Sequence, residues 1–424
     1  MTGLRALRKP AAWLLPLSLL ACHRASPDAT APRTGGDYAV SDWVLPAAPG
    51  SAEPDLVATA DGRMLLTWID ASAGRRNALQ FAQWSDGHWQ SAPRTVVVGD
   101  ALIANGADTP HLAATADGAL WVQWLQKVPG SEGSDLMLSR SADGGFNWSP
   151  PVRINDATGA AEHGFASLWP ASRDRIGVAW LDGAAMASAK TQPPMPPAMP
   201  GAGTTSLRAA VFDMNLRRAA PDTIDERVCD CCQTAVAMTA GGTLLVYRDR
   251  SPDEIRDIAA SRFDGSKWSS PATVHPDQWK MTACPVNGPA VAADGGNALV
   301  AWYTAANDMP AVELARSRDS GARFDPPLQV DHGAAVQGRV AVAVDAQQAW
   351  VLWVSGEGAT QALWLARYTP DLSRRLQRLQ VATLQARGPG AGYPQLVVQD
   401  GAAYVVWSDI ANGGSRLHGA VVTR

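Results

Sequence analysis

The chain has 424 residues, room for two or three ordinary domains or for one body built from repeats. Charged residues make up 18% and the formal net charge is -4, which argues against a nucleic-acid binder working through a basic field. The hydrophobic fraction of 46% argues against global disorder, and 38 Gly, 30 Pro and 17 Trp point to many short strands with a recurring aromatic position.

Residues 1–21 read as a signal peptide. Arg5, Arg8 and Lys9 form a positive start, and residues 11–21 form an apolar run too short to span a ~30 Å bilayer core. Leu19-Leu20-Ala21-Cys22 resembles the bacterial lipobox, which implies cleavage before Cys22 and a lipid on that cysteine. The alternative is a plain secretory signal ahead of a chance cysteine. Residues 22–37 are rich in Ala, Pro and Thr and read as a tether. His23 follows the cysteine, so the expected place is the cell envelope, at the outer membrane, with the membrane reached through the lipid.

Residues 38–424 carry one unit repeated. PDLVATADGRMLLTWID from Pro54, PHLAATADGALWVQWLQ from Pro110 and GPAVAADGGNALVAWYT from Gly288 align, and weaker copies begin at Gly164, Cys232, Gly338 and Gly392. Each unit predicts a short strand, an Asp-Gly type turn, a second strand ending in an aromatic, and two further strands. Four antiparallel strands per unit make an all-β propeller, seven blades by count and six if the weak units are partly loops. The last unit runs out after three strands, and residues 38–45 are expected to supply the fourth and close the ring.

The third-to-fourth turns carry a sharper motif. Ser141, Asp143, Gly145 and Trp148 fit S-x-D-x-G-x-x-W, and Ser317, Asp319, Gly321 and Phe324 fit it with Phe at the end. The Asp accepts turn amides, the Gly takes the left-handed position and the aromatic packs under the hairpin. This is the Asp-box, and residues 38–424 resemble the sialidase-like (BNR/Asp-box) propellers. The resemblance implies a propeller whose binding face lies opposite the Asp-boxes.

On that upper face, two loops entering adjacent inner strands hold four cysteines: Cys229, Cys231 and Cys232 before the fourth, Cys284 before the fifth. In an oxidising compartment an even count favours disulfides, and three pairings are open. A thiolate site for Cu(I) or Zn, with His275 or a Met added, and a redox-active pair are the other readings. The neighbouring loop Arg248, Asp249, Arg250, Asp253, Glu254, Arg256, Asp257 sets seven charges on the same face. Asn287, Asp308, Arg339 and Tyr393 complete the candidate polar site, and His111 and His163 begin inner strands. The Pro-rich insertion at residues 186–205 holds Met186, Met195 and Met199 and reads as a surface loop, a lid or a source of thioether ligands.

Sialidases of this resemblance clamp a carboxylate with arginines from several blades, one of them in an F/Y-R-x-P motif, and use a Tyr nucleophile activated by a Glu. No such motif occurs here. Tyr247-Arg248-Asp249-Arg250 lacks the Pro, and Tyr393 and Glu254 can be offered as a Tyr/Glu pair although nothing in their spacing demands it. The fold therefore carries over and the catalytic residues do not. The expected function is a membrane-anchored propeller binding a ligand, metal or partner, with a glycan or a protein as candidate ligand. The alternative is a diverged exo-sialidase or other glycoside hydrolase.

Overall fold

The computed structural model describes residues 37–71, 76–157, 159–191, 203–356, 360–386, 393–411 and 413–424. The signal peptide, the lipidation at Cys22 and all but the last residue of the tether lie outside the described residues, as do Met195 and Met199. Among the described residues no helix is long and apolar enough to cross a membrane.

Seven antiparallel sheets follow one another along the chain. Their inner strands are Ser51–Ala58, His111–Ala114, His163–Pro170, Ala235–Thr239, Ala290–Asp294, Val336–Val344 and Gln395–Gln399. Each inner strand neighbours the next, and the seventh returns to the first, so the sheets are blades of a closed ring. The ring has seven blades; every weak unit forms a full sheet.

Closure follows the expected route. Ala39–Asp42 pairs with Gly414–Thr423, Ala39 opposite Thr423 and Asp42 opposite Ala420. This removes an open edge that would template aggregation. The side chains on either side lock the join. Trp43 stacks on Trp89 at 5.1 Å and meets Trp84 and Tyr404 edge-on, bridging the first and seventh blades. Tyr38 lies under the Arg367 guanidinium at 3.5 Å and donates its hydroxyl to the Gly401 carbonyl, bridging the sixth and seventh.

The core is divided among the interfaces. Seven apolar clusters each join side chains from two neighbouring blades. The recurring aromatic of the second strand, Trp68, Trp124, Trp180, Tyr247, Trp302, Trp353 and Trp407, is buried in every blade. Three of these also donate a hydrogen bond at 2.7 Å to an outer carboxylate of the preceding blade: Tyr247 to Asp225, Trp302 to Asp277 and Trp353 to Asp331. A buried indole N–H or phenol O–H needs such a partner, so the aromatic is both wedge and bolt.

The Asp-boxes form as expected in their turns. Gly145 N–H donates to Ser141 Oγ at 2.8 Å, and Asp143 accepts the amides of Phe146 and Asn147. Ser317 and Asp319 repeat the pattern with the amides of Gly321 and Arg323. The aromatic reaches further than its own hairpin: Trp148 meets Phe81 of the preceding blade edge-on at 5.8 Å. Gly145 is required twice over. Its φ is 87°, and a Cβ there would lie 2.1 Å from the Phe81 ring.

Trp43→Ala should lower stability by roughly 3–5 kcal/mol, as for other buried Trp truncations. The fall in denaturant midpoint at unchanged slope measures it. An unchanged midpoint would mean that the N-terminal strand does not close the ring.

Candidate functional site

The upper ends of the inner strands surround an axial mouth, a cavity of about 280 Å³ to which all seven inner strands contribute. Three of these strands are kinked there by a bulge. The bulged residues, Glu53, Phe165 and Arg339, have φ of 58°, 50° and 53°. Left-handed backbone on a side chain of this size costs of order 1–3 kcal/mol each, and such strain gathers at functional sites. Polar latches run from blade to blade, and two of them, on Phe165 and Arg339, hold bulges. Asp55 accepts the Leu112 amide, Asp108 the Phe165 amide, Gln233 the Gly288 amide and Asn287 the Arg339 amide, at 2.7–3.1 Å.

Two of these latches are acids, Asp55 joining the first blade to the second and Asp108 the second to the third, and Glu53 lies beside Asp108. Burial, then the charge of Asp108, pushes the Glu53 carboxyl up to about 8. Burial pushes Asp108 up to about 6 against the opposing pull of the Phe165 amide and His111. Among the described residues, Glu53 Oε2 and Asp108 Oδ1 are buried with no hydrogen-bond partner. His111 Nδ1 sits 3.3 Å from Asp55 Oδ2. Burial opposes the His111 charge, but Asp55 and Asp108 outweigh it and move its pKa up. Perturbed acids of this kind in a cleft mark functional sites. The rest of the rim is neutral and polar: Ser167 and Thr234 share a 2.7 Å hydrogen bond, and the Tyr393 hydroxyl donates to the Val286 carbonyl. Among the described residues, no arginine lines the mouth.

The four cysteines do come together, on the shoulder of the mouth. Cys231 and Cys284 form a disulfide; Cys229 and Cys232 are free and buried. Cys229 Sγ lies 3.8 Å from Cys231 Sγ. The sulfurs of Cys229, Cys231 and Cys232 lie within 4.8 Å of one another, the right compass for a soft metal ion. With Cys231 bridged, only two of the three are thiols, so Cu(I) or Zn fits a three-sulfur set only after the bridge is reduced. His275 is not near enough to join them: it belongs to the outer strand of the fourth blade and holds Asp277 at 2.8 Å. The disulfide walls a second cavity of about 330 Å³, shared with Asp108, Glu162, His163, Met186 and Asp230. Met186 sits on a helix, Ala184–Thr191, at the start of the insertion. The His163 side chain is fully buried beside Asp182, and burial pushes its pKa down.

The charged loop, expected to be part of the polar binding face, is knit together by its own hydrogen bonds. Arg248 donates to the carbonyls of Asn287, Arg256 and Tyr303 at 2.5–2.9 Å and is buried. Arg256 donates to the Met281 carbonyl and to Glu254, and Asp257 accepts the amides of Gln278 and Trp279. Arg250 pairs with Glu254 at 2.8 Å. Asp249 accepts the Arg250 amide, and burial followed by the charge of Asp225 pushes it up to about 6. Glu254 thus answers two arginines and makes no pair with Tyr393. The Arg339 guanidinium packs over the Tyr393 ring at 5.7 Å. Asp308 is exposed on the fifth blade, where it borders a shallow depression with Asn287 and Cys284.

Sequence reasoning missed Glu53, Asp55, Asp108 and Gln233. A signal existed: Glu53-Pro54-Asp55 and Asp108-Thr109-Pro110 set acids at the start of the first two repeats.

No family model and no curated protein matches the chain. Among solved structures, an ulvan lyase matches at 12% identity and TM-score 0.47, covering 78% of each chain. The NanB sialidase from Streptococcus pneumoniae matches at 9% and 0.46, covering 86% of this chain and 83% of its own. The Penicillium chrysogenum α-L-arabinanase matches at 11% and 0.44, covering 90% and 95%. Likeness this distant says nothing of the site, whose reading rests on its own geometry.

A raised folded-state pKa means that the folded protein holds the Glu53 proton more tightly than the unfolded chain. Its contribution is full below the ordinary value of 4.5 and is lost as pH rises to about 8. Glu53→Gln should remove that loss and be the more stable protein above about pH 8, by on the order of 1.4 kcal/mol for each tenfold difference in proton affinity between the folded and unfolded chains. Thermal unfolding across pH checks this; parallel pH profiles for the two proteins would place the Glu53 carboxyl in water.

Proposed function

We propose that the chain binds an uncharged, hydroxyl-rich ligand of the saccharide class at the axial mouth, with Asp108 on its wall and Glu53, buried behind Asp108, as an acid–base pair. The supporting observation is the split between two mutually repelling buried carboxyls, one pushed up to about 8 and the other to about 6. Near neutral pH the first is a proton donor and the second mostly a carboxylate, which is the division of labour that general acid–base chemistry needs. The neutral rim of Ser167, Thr234, Gln233 and Tyr393 over an aliphatic floor suits hydroxyls and sugar faces. The cavity is near the lower end of the ~300–1,000 Å³ usual for small-molecule sites, so it suits a chain end better than a long polymer.

The same split favours glycosidic bond hydrolysis as the second reading. A negatively charged sugar is the weaker candidate, because its carboxylate would meet Asp55 and Asp108 on the wall, while the nearby Arg339 guanidinium stands behind the Tyr393 ring and does not line the cavity. The lipobox-like Leu19–Cys22 stretch supports anchoring of the ring in the cell envelope, where such ligands are met.

Calorimetric titration with a panel of neutral oligosaccharides tests the reading. Asp108→Asn should weaken binding about tenfold, ~1.4 kcal/mol, with the fold intact. If cleavage occurs, release of reducing ends should follow a bell between about 6 and about 8 and vanish in Glu53→Gln. Absence of binding to every neutral saccharide, or full affinity in Asp108→Asn, would overturn it.

A further inference from the structure

The four cysteines make a graded path from surface to interior. Cys284 is exposed, Cys231 half-buried, and Cys229 and Cys232 buried. Cys229 and Cys232 stand in C-x-x-C spacing, with Cys231 as one of the intervening residues. The sulfur of Cys229 is 3.8 Å from the Cys231 half of the bridge, so a thiolate there already touches the atom it would attack. The bridge itself joins two loops 53 residues apart in sequence, so opening it frees a thiol on a different loop from the attacker.

We propose that these residues form an internal thiol–disulfide relay that moves the oxidised pair from Cys231–Cys284 to Cys229–Cys232 and thereby presents a reactive thiolate at Cys284. In the first step the Cys229 thiolate attacks Cys231 Sγ. The Cys229–Cys231 bond forms, the Cys231–Cys284 bond breaks, and Cys284 leaves as a thiolate. In the second step Cys232, giving its proton to a leaving sulfur, attacks Cys229 Sγ and releases Cys231. Two electrons pass from the Cys229/Cys232 pair to the Cys231/Cys284 pair, and no outside oxidant or reductant is needed. The substrate class is a disulfide compound that reaches the upper face. Cys284 attacks one sulfur, forms a mixed disulfide and expels the other half as a thiolate.

The surroundings fit these roles. A hydrogen bond with Cys232, against the opposing cost of burial, brings the Cys229 thiol down to about 7, aided by the Cys231 amide and by Arg248 and Arg256. Burial pushes Cys232 well up, which keeps the resolving sulfur protonated until its proton has somewhere to go. The buried arginines of the charged loop thus have a second effect, a positive field at the attacking sulfur. Cys284 Sγ lies 3.6 Å from Asp230 Oδ1, within reach of a hydrogen bond from the Cys284 thiol when the bridge is open. A purely structural disulfide has no use for two further buried thiols at contact distance from it.

Trypsin separates the states. Cutting after Arg227, Arg248, Lys280 and Arg316 puts Cys229, Cys231 and Cys232 on one peptide and Cys284 on another. The original bridge links the two peptides; the relayed state is a loop within one, with Cys284 free. The full chain, prepared without reductant, is held at about pH 8 with iodoacetamide or with oxidised glutathione, and its peptides are mapped by mass spectrometry. In the wild type, Cys284 should gain the carbamidomethyl or glutathionyl group while the other peptide closes on Cys229–Cys232. Cys232→Ser should stall at Cys229–Cys231 with Cys284 still labelled. Cys229→Ser should keep the cross-linked peptide and label Cys284 at least about tenfold more slowly. A wild type that keeps only the Cys231–Cys284 link, or that is labelled at Cys229 with that link intact, would overturn the relay. The wild-type map decides the matter even where a variant fails to fold.

Discussion

Everything in this ring hangs on one packing problem. A single four-stranded sheet has two apolar faces and can cover neither, so each blade must bury its second-strand aromatic against a neighbour. Trp302 and Trp353 do this with no exposed surface, and each fastens its indole N–H to a carboxylate of the blade before it. In the fourth, fifth and sixth blades this hydrogen bond points backwards along the chain, to the preceding blade. A chain of such contacts leaves one blade without a predecessor and one without a successor. The strand Ala39–Asp42, flanked by Tyr38 and Trp43, resolves both ends at once.

Strong interfaces at the blade bodies leave the upper ends of the inner strands free to be irregular. The bulges at Glu53, Phe165 and Arg339 are the cost of turning strand ends away from a regular ladder. The side-chain latches restore the amide hydrogen bonds that a bulge forfeits. Asp108, on the Phe165 amide, and Asn287, on the Arg339 amide, are latches of this kind, and Asp108 still has a second carboxylate oxygen. Glu53 Oε2 and Asp108 Oδ1 end up buried without a protein partner among the described residues. The latch at Asp108 thereby leaves an acid with an unused acceptor on the wall of the mouth, with Glu53 buried beside it, and those two acids are the candidate chemistry.

What could be read from the amino acids alone follows from period and from local chemistry. The blade count, the closing strand and the Asp-boxes are written within single repeats, because Asp-Gly turns, Ser141 with Asp143, and a recurring Trp act over a few residues. The proximity of the four cysteines was legible once the loops were assigned to adjacent blades, while their pairing was not. The acids of the mouth were harder to see, since their character comes from burial and mutual repulsion across two blades. Glu53 and Asp108 are 55 positions apart and look like ordinary loop acids. The carboxylate bolts also escape the sequence, because donor and acceptor belong to different repeats.

The charged loop shows why residue type is a poor guide to role. A run of seven ionisable residues reads as a solvated binding face. Yet a long loop folded over the top of a blade carries carbonyls that no strand can satisfy, and a guanidinium has five donors in a fixed fork. Arg248 directs its donors to three such carbonyls from three separate segments, and its own carbonyl accepts the Cys229 amide, so it stands between the charged loop and the cysteines. Burying two guanidiniums carries a desolvation cost, offset by Glu254 on Arg256 and by neutral carbonyl dipoles on Arg248. The positive field that remains falls on the free thiols. The Cys229 thiol is brought down chiefly by its hydrogen bond with Cys232, and the two arginines that organise the loop add to that effect, so a substitution at either arginine disturbs both the loop and the thiol.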